Sequence, residues 1–201
     1  SSDLKNLELV ETVRDAVGPD VEIMFDAWKS WDVSYAIAMA EQMVDYDVKW
    51  LEEPVQPDRI NQYAAIRERS PIKIAGGEGE FTRWGAAALL DAEAVDFIQP
   101  DIFIAGGISE LQKIAAITSV STGAKLMPHA RANVSVHLVA AQSPDVCPEI
   151  EDLVKSSISN EFFLASPPER RNGKIVLNEQ PGLGMELDSA KIESEEVLPL
   201  R

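Results

Sequence analysis

Short apolar runs, each closed by a lone ionisable residue and most followed by a helix-length stretch, recur along this chain at a nearly constant period. The closing residues are Asp26, Glu52, Glu78, Asp101, His129 and Glu151, spaced 26, 26, 23, 28 and 22 residues apart. The runs themselves (VEIMFD, VKWLE, IKIAGGE, VDFIQPD, AKLMPH and CPEIE) show little alternation, the pattern of strands buried on both faces of a parallel sheet. Parallel neighbours need a crossover of a dozen or more residues. The stretches DVSYAIAMAEQMVDY, PDRINQYAAIRERS, TRWGAAALLDAEA, ISELQKIAAITSVS and NVSVHLVAAQ have roughly that length and a helical apolar spacing. Asp32, Asp58, Thr82 and Asn133 place short polar side chains where helices should begin. The pattern predicts an α/β fold, a (β/α) barrel of TIM type, in which groups at the C-terminal ends of successive strands converge on one mouth.

With 201 residues the chain is shorter than the roughly 250 of a complete eight-unit barrel. It opens on SSDLKNLELVETVRDAVGPD, a helical stretch with no strand before it. The expectation is therefore a partial catalytic barrel over residues 1–153, with about six of eight units, and an extension over residues 154–201. That extension gathers Pro, Gly and charge. It should cover the barrel or pack on a further domain, and GKIVLNE reads as one edge strand after an Asn172-Gly173 turn. A formal charge of −16 argues against nucleic acid or an anionic membrane as partner, since both need a positive surface. No segment approaches the ~20 apolar residues of a membrane span or the layout of a signal peptide. A lone cysteine, Cys147, excludes an internal disulfide. A cytoplasmic setting and a homo-oligomer are expected.

Asp26, Glu52 and Glu78 are carboxylates on three consecutive strand ends. Singly, each reads as a solvated side chain; together in a low-dielectric mouth they repel unless a cation sits between them. All-oxygen ligation suits Mg²⁺. Glu53 rivals Glu52, because period-two alternation lets only one of the pair face the interior. Asp101 and His129 close consecutive strands, where the carboxylate can orient the imidazole as a general base near neutral pH. His137, the other histidine, reads as a packing residue on a helix. Glu151 could donate a proton or hydrogen bond across the site, with Glu149 as its same-face rival.

These residues resemble those of the enolase superfamily, and within it the mandelate racemase subgroup. The matching segments are FDAW with Asp26, LEEP with Glu52, AGGE with Glu78, IQPD with Asp101, MPHA with His129, and the tail PGLGMELD. The resemblance implies Mg²⁺ held by Asp26, Glu52 and Glu78, and a His129–Asp101 dyad that removes the proton alpha to a substrate carboxylate. It also implies Glu151 on the last strand, together with a capping domain and two barrel strands ahead of residue 1. FDAWKSWDVSYA and GEGEFTRWG look most like acid-sugar dehydratases of the rhamnonate type, which makes Trp28 and Lys29 candidate substrate contacts. Gly79 and Pro54 depart from that type, where histidine and alanine are familiar, and Trp28 stands where the racemases carry Asn. The implied reaction dehydrates a sugar acid, a small anionic substrate, to a 2-keto-3-deoxy acid. Epimerisation through the same enediolate is the alternative, and a catalytically silent ligand-binding barrel is a reading of another class.

Overall fold

The computed structural model describes residues 2–121, 123–153, 159, 161–194 and 196. Helix α1 (Ser2–Val17) leads into β1 (Ile23–Asp26), and the chain then alternates through α2 (Val33–Met43), β2 (Val48–Glu52), α3 (Ile60–Arg69), β3 (Lys73–Gly76) and α4 (Thr82–Asp91). It continues with β4 (Phe97–Ile98), the short α5 (Ile102–Ala105), α6 (Ile108–Val120), β5 (Lys125–Leu126) and α7 (Ala132–Ala140). The strands form one parallel sheet in the order β1-β2-β3-β4-β5, so each crossover advances by a single position. This is the wall of a (β/α) barrel.

The sheet sorts its side chains into two layers, as strand alternation requires. Leu51, Ile74, Ile98 and Leu126 face the helices and pack with Ile37, Ile66, Leu89, Ile114 and Leu138. Trp50, Ala75, Phe97 and Met127 form a separate cluster on the other face, where the Trp50 and Phe97 rings lie 4.7 Å apart. Burying each large side chain of this kind contributes about 1.5–3 kcal/mol. Tyr63 of α3 is fully buried, donates to the Val55 carbonyl at 3.0 Å, and lies against Gly76, where a Cβ would come within 3.0 Å of its ring. Gly77 follows at φ +107, a backbone state that only glycine enters cheaply. These two glycines shape the turn that carries Glu78.

Five strands stand in the sheet where six were expected. CPEIE does not pair as a strand: Pro148 has no N–H to donate, and the Cys147 N–H is spent on the Ser143 carbonyl. Of the expected caps, Asp32 performs as read, accepting from the Tyr35 N–H at 2.9 Å. Asp58 does not cap α3. Thr82 is the first residue of α4 and gives only a long 3.4 Å contact to the Trp84 N–H, whereas Glu110 of α6 accepts from Arg83 N–H at 3.0 Å. Asn133 lies inside α7 and reaches Met185 instead.

Residues 154–158 and 160, at the start of the expected extension, lie outside the described residues. Beyond them the single expected strand is one arm of a hairpin, β6 (Glu169–Arg171) and β7 (Lys174–Val176), which pair antiparallel. Asn172 and Gly173 both take positive φ, as a type I′ turn demands. Arg170 ties this hairpin to Asp152 and Glu161 through contacts of 2.5 to 3.0 Å. Leu183 and Met185 pack on the main core, and His137 contacts the Leu183 carbonyl at 3.0 Å, the packing role expected of it. Among the described residues no helix is long and apolar enough to cross a membrane.

Candidate active site at the strand ends

Hydrogen bonds continue past the named strands and set the side chains in place. The bonds Ala27 N–H to Glu52 O, Glu53 N–H to Ala75 O, Gln99 N–H to Gly76 O and His129 N–H to Pro100 O extend the parallel pairing through the turns. Asp26 and Glu52 are register partners, and Asp101 and His129 form a further parallel bridge. The pairs read from spacing are thus neighbours across strand ends.

His129 is the centre of the arrangement. Its Nδ1 lies 3.2 Å from Asp101 Oδ2 and its Nε2 lies 3.1 Å from Glu78 Oε2 and 3.7 Å from Glu151 Oε2. Asp101 does double duty, because its Oδ1 also accepts from the Phe103 N–H at 2.7 Å and so caps α5. Glu151 accepts from the Ala130 N–H at 2.9 Å, inside a turn where Ala130 and Arg131 both take left-handed backbone. Burial pushes the Glu151 carboxyl up, aided by the charges of Glu78 and Asp26 and opposed by that hydrogen bond and His129. Of the rivals read from sequence, Glu149 turns away to Lys49, leaving Glu151 beside His129.

Glu52 faces the mouth from the same side of β2 as Trp50, whose Nε1 donates to it at 3.1 Å. Burial raises its pKa, the charges of Glu151 and Asp26 adding to the rise and the nearby Gln99 amide and the Trp50 donor opposing it. Glu53 also reaches the mouth, contrary to the alternation argument, because its φ of +41 ends the strand geometry. It is only 1% exposed, and burial pushes it up to about 7. Lys29 answers it, with Nζ 2.9 Å from Glu53 and 2.8 Å from Glu78 Oε1. Asp26 accepts from the Trp28 N–H at 2.8 Å, while the Trp28 ring is 75% exposed.

Sequence reasoning missed Gln99 and Arg131. Gln99 is fully buried, on the inner face two residues after Phe97; its parity with Phe97 and Asp101 was the available signal. Arg131 Nε lies 3.7 Å from Asp101 and its guanidinium lies over Phe103. No periodicity announces it.

A divalent cation suits the chemistry of this set. Asp26, Glu52, Glu53, Glu78, Asp101 and Glu151 bring six carboxylates to one mouth against the fixed cations Lys29 and Arg131, and all the donors are hard oxygens. Burial is the main cause of the raised pKa of Glu52, and the Glu151 and Asp26 charges add to it, a crowding of negative charge that a cation relieves. The side chains are not preassembled, however. Among the described residues no three His, Cys, Asp or Glu groups are gathered as a ready metal cage.

Residues 4–191 match the family described as enolase C-terminal domain-like, and the chain belongs to that family. D-galactarolactone cycloisomerase of Agrobacterium fabrum is 35% identical over an alignment of 196 positions that covers 92% of this chain and 51% of that protein. L-rhamnonate dehydratase of Saccharopolyspora erythraea is 37% identical over an alignment of 191 positions that covers 91% of this chain and 48% of that protein. Among solved structures, L-talarate dehydratase of a Polaromonas species, complexed with Mg and L-glucarate, superposes with a TM-score of 0.85 at 28% identity, covering 94% of this chain and 51% of that one. The chain spans about half the length of the relatives it matches. The family resemblance read from the motifs holds, as does the α/β barrel class.

Proposed function

We propose that this chain is the catalytic barrel of a Mg²⁺-dependent acid-sugar dehydratase. The observation that carries the reading is His129, held between Asp101 on one ring nitrogen and Glu78 and Glu151 on the other, in a chain of this family. Asp26, Glu52 and Glu78 would hold the Mg²⁺, whose charge makes a proton next to a carboxylate acidic enough for histidine to remove.

The protein's own groups do the rest. With Asp101 accepting from Nδ1–H, a contact that also fixes the plane of the ring, His129 would present Nε2 as the basic lone pair once Glu78, 3.1 Å from that nitrogen, serves as a metal ligand. Nε2 takes the proton from the second carbon of the substrate, and the C–H electron pair passes into the conjugated carboxylate. The hydroxyl on the third carbon then departs with a proton as water, returned from His129 or supplied by Glu151, whose raised pKa favours a protonated carboxyl. The enol product tautomerises to a 2-keto-3-deoxy acid. Lys29 and Arg131 supply positive charge at the mouth for an anionic, aldonate-type sugar acid.

A cycloisomerase reading is supported by the 35% identity to D-galactarolactone cycloisomerase. It uses the same proton abstraction, without net loss of water. Incubating the purified protein with a panel of sugar acids and their lactones, followed by mass spectrometry, separates the two. Dehydration yields a product lighter by one water, isomerisation a product of unchanged mass. Activity is expected to vanish with a chelator and return with Mg²⁺; turnover indifferent to the chelator contradicts the metal-dependent reading.

A further inference from the structure

Both oxygens of Glu78 are already engaged: Oε1 faces Lys29 Nζ at 2.8 Å and Oε2 faces His129 Nε2 at 3.1 Å. A cation that takes Glu78 as a ligand therefore meets a positive or hydrogen-bonding group already facing either oxygen, and competes with its charge. Lys29 has a second anchor for that event. Its Nζ is also 2.9 Å from the Glu53 carboxylate, a group 1% exposed. An isolated buried carboxylate is costly, so a group of this kind is retained only with a counter-charge.

The backbone that aims Lys29 is built for the purpose. Trp28 and Lys29 are consecutive non-glycine residues at φ +47 and +64, a costly backbone state that persists only where the surroundings impose it. Two hydrogen bonds impose it here, from Lys29 N–H to the Glu53 carbonyl and from Gln56 Nε2 to the Lys29 carbonyl. The side chain is three-quarters shielded from solvent, with 25% exposure. Lys29 is thus a fixed element of the mouth and not a wandering surface lysine.

We propose that Lys29 is the resident counter-cation of the carboxylate cluster, competing with the divalent cation for Glu78, and that Glu53 is the carboxylate to which its ammonium withdraws when that cation binds. This makes Lys29 and Glu53 positioning residues that set the strength of metal binding. The inference rests on reading Asp26, Glu52 and Glu78 as the ligands.

Calorimetric titration of Mg²⁺ into the purified protein tests it without any substrate. Lys29→Met removes a positive charge a few ångströms from the incoming ion and is expected to tighten Mg²⁺ binding about tenfold. Glu53→Gln removes the anchor and leaves Lys29 on Glu78, so binding should loosen by a similar factor, and this loosening should largely disappear when Lys29 is already Met. If Lys29→Met unfolds the protein by stranding Glu53, the double variant Lys29→Met/Glu53→Gln removes both charges and is expected to bind Mg²⁺ at least as tightly as the parent. Unchanged or weaker binding in a folded Lys29→Met variant, or binding weaker than the parent's in the double variant, overturns the proposal, as does equal loosening by Glu53→Gln in both backgrounds. Glu78→Gln distinguishes the two levels. If it abolishes binding while Lys29→Met changes nothing, only the Lys29 inference falls; if it leaves the isotherm intact, the ligand assignment falls as well.

Discussion

Cys147 is 3% exposed, and burial with the nearby Glu149 charge pushes its thiol from an ordinary 9 up to about 12. Tyr63, fully buried on the Val55 carbonyl, has its phenol held far above the usual range by burial and the surrounding glutamates. Both groups keep their protons in the folded chain at pH values where the unfolded chain loses them. The folded state then binds more protons, so stability falls as pH rises through about 9 to 12. Denaturant midpoints measured at pH 8, 9.5 and 10.5 should decline in that order, and Cys147 should resist a thiol reagent at pH 8 until the protein is unfolded. A midpoint that rises with pH, or rapid labelling of the folded protein, contradicts this account of both sites.

Most of the candidate site was legible at this scale, because a strand-end residue inherits its position from the period of the units. Asp101 and His129 meet because they close consecutive strands. What sequence could not show is where that regularity stops. Glu53 escapes the alternation rule through one positive φ, and Arg131 reaches Asp101 from a left-handed turn that no local pattern requires.

At the scale of elements, apolar runs and helical spacing located all five strands of the sheet and added a sixth at CPEIE, where Pro148 works against pairing. Helix starts were harder to read. Caps supplied from a distant element, such as Glu110 at the first turn of α4, leave no local trace. The hairpin β6–β7 was half visible through its Asn172-Gly173 turn, but its attachment is a tertiary matter. Arg170 gathers Asp152 and Glu161, of which Glu161 is 8% exposed, and so ties the hairpin to the residue next to Glu151. Arg170→Met removes the guanidinium the two acids share. It is expected to cost about 1–3 kcal/mol, discounted for the partial exposure of Arg170 and Asp152. A lower urea midpoint and faster proteolysis within residues 161–194 would register it, whereas unchanged values of both would show the clamp to be idle.

Over the whole molecule, the excess of acid is not evenly spread in its consequences. A chain with 34 acidic and 18 basic residues gathers six carboxylates at one mouth and meets them with two fixed cations, an imbalance that favours a divalent ion and a small anion together over either alone. The order of strands places the groups, the glycine turn at Gly76 and Gly77 presents Glu78, and the Asp101 bridge orients His129. The central claim is that this imidazole takes a proton from the carbon beside a substrate carboxylate. Exchange of that hydrogen for solvent deuterium, followed by proton NMR in D₂O with Mg²⁺ and whichever sugar acid the panel identifies, tests it most directly. The account expects exchange with the parent protein and its loss in His129→Asn, which keeps a hydrogen-bonding side chain but cannot accept the proton, with a partial loss in Asp101→Asn. Exchange at the parental rate in His129→Asn would place the base elsewhere and contradict the account.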